Sequence, residues 1–161
     1  MTIALLIASI LLVVYFVALM PPPDRYTTVY VLDEQGTTNN LPEYVVVGVN
    51  NTFTVRVDVA NHMGDALEDA QVQVIVTSRE NPSIPVNSNA PILSFNGTIQ
   101  EGETWENNAT ISLTQPGDFL VFFELWTHLG VGSSEPQFSG NYCVLNVQVA
   151  SDNATSAILL P

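Results

Sequence analysis

Between Thr52 and Ala60, Phe53, Val55, Val57 and Val59 alternate with Thr54, Arg56 and Asp58. A strict period of two with apolar residues on one side is the pattern of a β-strand with one buried face. The pattern recurs at Gln71 to Thr77, with Val72, Val74 and Val76 pointing inward, and at Asn141 to Val149, with Cys143, Leu145, Val147 and Val149 on one face. Further strand candidates are Tyr26 to Leu32, Tyr44 to Val49, Ile92 to Ile99 and Thr104 to Leu113. Phe119 to Trp126 reads FLVFFELW and is apolar on both faces, as a central strand covered on each side requires. Turn chemistry such as Gln115-Pro116-Gly117-Asp118 separates these stretches, and no helical periodicity persists from Tyr26 onward. The spacing predicts an all-β, two-sheet antiparallel sandwich of about eight strands over residues 26–150. The long segments Arg79 to Ala90 and Leu129 to Gly140 read as solvated connections, with a contact surface as the alternative.

The beginning of the chain obeys different rules. Ile3 to Met20 carries no charge and only Ser9 as a polar residue, and as a helix it would run roughly 27 Å, close to the ~30 Å hydrocarbon thickness of a bilayer. Pro21-Pro22-Pro23 stops it, because proline has no amide hydrogen to donate. A cleaved signal peptide would want a basic n-region, a shorter apolar run and small residues before the cut, whereas this run is long and ends in Leu19-Met20-Pro21. A pilin-type assembly helix would continue well beyond the span. The expected organisation is therefore a transmembrane signal-anchor helix over 1–20, a Pro-rich linker over 21–25, the sandwich over 26–150 and a flexible tail over 151–161. Residues 3–20 are the part expected to sit in the lipid bilayer.

Charge narrows the partners. Sixteen acidic residues face only Arg25, Arg56 and Arg79, there is no lysine, and the net charge is −13. Nucleic-acid binding draws its affinity from clustered Lys and Arg, so no nucleic-acid partner is expected; docking on anionic lipid heads is disfavoured for the same reason. Either a high-salt habitat or a surface solubilised by Asn, Thr and sugar in place of Lys would account for the acidity.

Four Asn-x-Ser/Thr sequons make Asn50, Asn96, Asn108 and Asn153 candidate N-glycosylation sites, each expected near a strand end or turn; Asn81-Pro82-Ser83 is excluded by its proline. So Asn- and Thr-rich a chain also produces sequons by chance. N-linked glycans would require everything after Pro21 to lie outside the cytoplasm.

No cofactor, metal or catalytic residue is expected. A blue-copper centre needs two His and a Cys followed closely by further ligands. His62, Met63, His128 and Cys143 are present, but Val144 to Val149 holds no His or Met, and Cys143 reads as a small buried hydrophobe. Cys143 is also the single cysteine, so no intrachain disulfide forms. The acidic runs Asp65, Glu68, Asp69 and Glu101, Glu103, Glu106 match no calcium loop and read as solvated turns. Two histidines, one cysteine and no lysine leave few general acids, bases or nucleophiles, and no nucleophile elbow, phosphate loop or zinc-protease helix occurs. Asn61-His62, before Gly64, reads as a turn cap.

Several stretches together resemble an archaeal family of uncharacterised membrane proteins, the domain-of-unknown-function family numbered sixteen-sixteen. The carrying residues are Tyr30-Val31-Leu32-Asp33, Leu41-Pro42, Val47-Gly48-Val49-Asn50-Asn51-Thr52, Val59-Ala60-Asn61-His62, Gly102-Glu103-Thr104-Trp105-Glu106 and Gln115-Pro116-Gly117. The likeness covers roughly Tyr26 to Val149 and departs at Tyr142 to Val147, where the family favours an aromatic-rich strand with Trp. The resemblance implies an archaeal envelope protein with an immunoglobulin-like ectodomain and no activity. The functional expectation is a non-catalytic structural or accessory subunit that packs against other membrane or cell-surface proteins. The alternatives are a ligand- or glycan-binding module, whose candidate aromatics are Trp105, Trp126 and Tyr142, and a subunit of an extracellular filament.

Overall fold

The computed structural model describes residues 9–15, 24–78, 82–86, 90–128 and 135–152. Eight strands follow one another: β1 (Tyr26–Leu32), β2 (Tyr44–Val46), β3 (Thr52–His62), β4 (Leu67–Ser78), β5 (Leu93–Ile99), β6 (Thr104–Ser112), β7 (Gly117–Thr127) and β8 (Gln137–Ala150). They form a three-stranded sheet of order β1-β3-β6 and a five-stranded sheet of order β2-β8-β7-β4-β5. Every strand candidate of the sequence is present, with boundaries moved by a few residues. Residues 9–15 are helical. Among the described residues no helix is long and apolar enough to cross a membrane. Most of the expected span over 1–20, the linker apart from residues 24–25, and the tail beyond residue 152 lie outside the described residues, as does Asn153.

The two sheets meet through the residues that the alternation turned inward. Val55, Val57 and Val59 of β3, Ala109 and Ile111 of β6, Val72 and Val74 of β4, Val121, Phe123 and Leu125 of β7, and Leu145, Val147 and Val149 of β8 form one buried cluster. Each large aliphatic or aromatic side chain in it contributes about 1.5–3 kcal/mol by leaving water. The single cysteine, Cys143, is half-buried and packs against this core.

The expectation of a purely antiparallel sandwich needs one correction. β2 pairs in parallel with β8, Tyr44 opposite Gln148 and Val46 opposite Ala150. The segment after β1 turns back before β2 begins, so β2 enters the sheet travelling in the direction of β8. β2 ends after Val46, and the expected continuation to Val49 is a turn. Gly48 there adopts φ +79, and the Val46 amide donates to Asn50 Oδ1 at 2.7 Å. All other strand pairings are antiparallel.

β1, β4 and β8 start, and β3, β5 and β7 finish, at the end of the sandwich where the chain arrives from residues 24–25; this is the entry end. Asn61 holds it together. Its buried Nδ2 donates to the carbonyls of Asp65 at 2.8 Å and Ile99 at 2.9 Å, while its Oδ1 accepts from the Met63 amide at 3.0 Å. The turn-capping reading of Asn61 therefore holds, and the cap also ties the β3–β4 turn to β5.

Candidate functional site

The outer face of the five-stranded sheet carries the densest set of chemically distinctive side chains. The register places Asn96, Gln71, Trp126 and Phe138 in one row across β5, β4, β7 and β8. The adjacent row holds Ser94, Gln73, Glu124 and Tyr142. Between Glu124/Tyr142 and Trp126/Phe138 the β7–β8 pairing slips, so β8 spends two extra residues there. Gly140 accommodates the slip at φ +87, where a side chain would strain the backbone. The slip brings both Phe138 and Tyr142 to the side of Trp126. The rings form a continuous strip: Trp126 to Phe138 at 5.9 Å, Phe138 to Tyr142 at 6.4 Å, and Tyr142 to Phe122 at 6.3 Å between centroids. Tyr142 is 42% exposed, and Trp126 and Phe138 are half-buried.

Glu124 lies beneath the strip and is fully buried. Its Oε1 accepts from the Val86 amide at 2.7 Å and its Oε2 from Trp126 Nε1 at 3.3 Å. Val86 belongs to a segment (82–86) that crosses this face and packs with Ile75 and Phe122 in a second, smaller core. This corrects the reading of Arg79 to Ala90 as a solvated connection: its described middle is a strap seated on the sheet. It also explains why β7 is apolar on both faces.

The three aromatics singled out from sequence divide. Trp105 packs between the sheet edges against the core, over Gly97, where a Cβ would come within 3.1 Å of its ring. Trp126 and Tyr142 belong to the open strip. Phe138 fell inside the segment read as a loop and was missed; the signal that locates it is Phe138-x-x-x-Tyr142 around a glycine.

Asn50, Asn96 and Asn108 are all exposed. Asn50 sits in the turn after β2 as expected. Asn96 and Asn108, however, lie in mid-strand, on the solvent faces of β5 and β6. These are the two edge strands on the same flank of the sandwich, and an edge strand tolerates a bulky outward substituent that an interior strand does not.

At the entry end a cleft of about 450 Å³ opens between Arg25, Tyr26, Met63, Leu67, His128 and Asn141. His62 stacks on Tyr26 at 4.8 Å, and His128 Nε2 lies 3.9 Å from Asp69 Oδ2. Of the acidic runs, Glu101 and Glu103 serve turns as expected, Glu101 Oε2 accepting from the Gly64 amide at 2.7 Å and Glu103 Oε2 from the Gln100 amide at 3.1 Å, whereas Glu68 and Asp69 lie in β4 and Glu106 in β6. On the outer face of the three-stranded sheet, Arg56 donates to Asp58 Oδ2 at 2.9 Å and lies 3.5 Å from Glu106. Burial pushes the Asp58 carboxyl up, and Arg56 draws it only part of the way back. Asp33, at the end of β1, accepts from the Thr37 hydroxyl and from the amides of Thr37 and Gln35, and these bonds hold its carboxyl down at about 2. Among the described residues no group of three or more His, Cys, Asp or Glu is placed to hold a metal ion.

Compared with solved structures, the sandwich superposes on a CARDB domain from Pyrococcus furiosus. The solution structure of that domain matches at a TM-score of 0.52 with 16% identity, over 78% of this chain and 95% of the other. Its crystal structure, solved in complex with di-metal ions, matches at 0.54 with 14% identity, over 83% of this chain and all of the other. The fold is similar to that of CARDB domains. These are immunoglobulin-like sandwiches, and at this identity the likeness concerns the fold alone. A β-glucosidase from Listeria innocua matches at a TM-score of 0.48 over 16% of its length. No known family profile matches the chain, and no curated protein does.

Proposed function

We propose that the chain is a non-catalytic, membrane-anchored accessory subunit whose sandwich lies outside the cytoplasm. In this reading residues 3–20 remain in the bilayer, and the ectodomain packs against other membrane or cell-surface proteins. The observation that carries the reading is the helical stretch at residues 9–15. Ile10, Leu11, Leu12, Val13, Val14 and Tyr15 are each 53–63% exposed, so the helix is apolar on every side and open. A helix of that kind is at home in hydrocarbon or in the centre of a large protein.

Of the described sequons, Asn50 lies at the far end and Asn96 and Asn108 on the β5–β6 flank, and none lines the entry-end cleft. N-linked glycans there would leave the entry-end cleft, beside the anchor, as the surface for membrane partners. Solubilising the full chain from its native membrane in mild detergent, then separating complexes by size under native conditions, tests this. Co-migration with larger membrane proteins at constant ratio is expected; a lone monomer overturns it.

A second reading, a surface module for carbohydrate or another flat ligand, is favoured by the ring strip Trp126–Phe138–Tyr142. It predicts binding of free oligosaccharides that Tyr142→Ser abolishes.

A further inference from the structure

Asn96 shares a face and a row with the aromatic strip. With strands about 4.8 Å apart, two steps across the sheet lead from Asn96 over Gln71 to Trp126, and a third leads to Phe138. We propose that Trp126, Phe138 and Tyr142 are the seat of a glycan carried by Asn96, so that the sandwich holds its own sugar against the outer face of the five-stranded sheet. This rests on the extracytoplasmic reading above and names what occupies the strip.

The arrangement around Asn96 suits the attachment. Gln73 Nε2 donates to Gln71 Oε1 at 2.6 Å, and Gln71 Nε2 donates to Asn96 Oδ1 at 2.9 Å. This amide relay fixes the Asn96 carboxamide through its oxygen, and the sugar bonds to the other atom, Nδ2. Thr98 follows two residues later on the same exposed face, so both side chains of the sequon are presented together. Gly97 between them faces inward, where a Cβ would lie a tight 3.1 Å from the Trp105 ring. Attachment draws on a lipid-linked sugar phosphate. The anomeric carbon breaks its bond to the phosphate oxygen and bonds to Nδ2, and the lipid phosphate departs, taking up the proton that Nδ2 sheds.

From that bond the first few sugars reach the strip across Gln71. Sugar rings present C–H groups of slight positive character, which pack against the negative faces of aromatic rings. Polar amides beside the rings offer partners for the hydroxyl groups. Asn108 has no comparable strip beside it. The row through Asn108 continues to Arg56 and Leu32 and carries no ring, and the next row offers the ring of Tyr30 alone. A seated glycan would also shield β5, an edge strand whose unpaired backbone is otherwise a template for strand addition.

The test uses the full chain purified from its native membrane. Site-resolved glycopeptide mass spectrometry establishes occupancy, and limited periodate oxidation of the folded protein then compares how fast the vicinal diols of each glycan react. The diols at Asn96 are expected to oxidise up to about tenfold more slowly than those at Asn108, as stacking on a few rings implies. Tyr142→Ser and Trp126→Ala should bring the two rates together, and Trp126→Phe should largely preserve the difference. Tyr142 is exposed, so its variant keeps the comparison in hand if Trp126→Ala fails to fold. Equal rates in the wild type, or protection that survives Tyr142→Ser, overturn the proposal. So does an unmodified Asn96 beside an occupied Asn108, an outcome that leaves the extracytoplasmic reading standing. If no sequon is modified the proposal falls as well, and protease access to the sandwich in sealed native vesicles then judges the anchored reading by itself.

Discussion

Replacing Glu124 with glutamine keeps the shape of the side chain and removes one of its two acceptors. In the wild type, Oε1 serves the Val86 amide at 2.7 Å and Oε2 serves Trp126 Nε1 at 3.3 Å, with Glu124 fully buried. A glutamine accepts through its single oxygen and turns an N–H pair toward whichever donor remains. The shorter bond to Val86 is the stronger claimant, so Trp126 Nε1 is the donor that loses its partner. A typical hydrogen bond contributes about 0.5–1.5 kcal/mol, and a half-buried donor such as Trp126 Nε1 turns partly to water when its partner is lost. A net loss of roughly 1–2 kcal/mol follows for Glu124→Gln. For a sandwich of about 125 residues, each kcal/mol moves the melting temperature by roughly 4 °C. Circular dichroism of the full chain in detergent should thus show Tm falling by roughly 4–8 °C. Glu124→Leu orphans both donors and should fall further, with hydrogen exchange at the Val86 amide accelerating as the strap loosens. If Glu124→Leu lowers Tm by less than about 3 °C and Val86 stays protected, the carboxylate does not hold the strap and the reasoning is wrong.

Gly97→Val leaves the sequon Asn96-x-Thr98 intact but drives a side chain into the Trp105 ring, 3.1 Å from where its Cβ would be; a loss of about 1–3 kcal/mol and a shifted tryptophan emission are expected in denaturant titrations. Asn61→Ala removes two buried donors and an acceptor at the entry end and should cost about 2–4 kcal/mol, read from the midpoint of urea unfolding; a change under about 1 kcal/mol would sink that account. Asp33 titrates at about 2 in the folded chain, below the ordinary carboxylate value of about 3.9. The unfolded chain therefore takes up the proton first, so this contribution is complete above pH ~4 and is lost as pH falls toward ~2. Asp33→Asn should lose that portion of the acid dependence; identical pH–stability curves for variant and wild type between pH ~2 and ~4 would refute the assignment.

The sequence by itself determined which stretches are strands and which side of each faces the core. Val55, Val57 and Val59 had to share a face because alternation is a local consequence of the extended backbone. Pro116-Gly117 marked a turn for an equally local reason, whereas Gly48 was read inside a strand that the structure ends at Val46. Partnership is not local. Three short residues of β2 joined β8 in parallel, and eight strands split three and five, because whole-sheet packing chooses among pairings that each strand would accept. The strip of rings, too, is a tertiary product: Phe138 reaches Tyr142 and Trp126 only through the slip at Gly140, and Glu124 is buried only because a strap distant in sequence crosses it. Asn96 was legible as a sequon, but the rings two and three strands away became its neighbours only when β5, β4, β7 and β8 hydrogen-bonded in register. Alternation assigns a side chain to a face; long-range hydrogen bonding alone decides what it meets there.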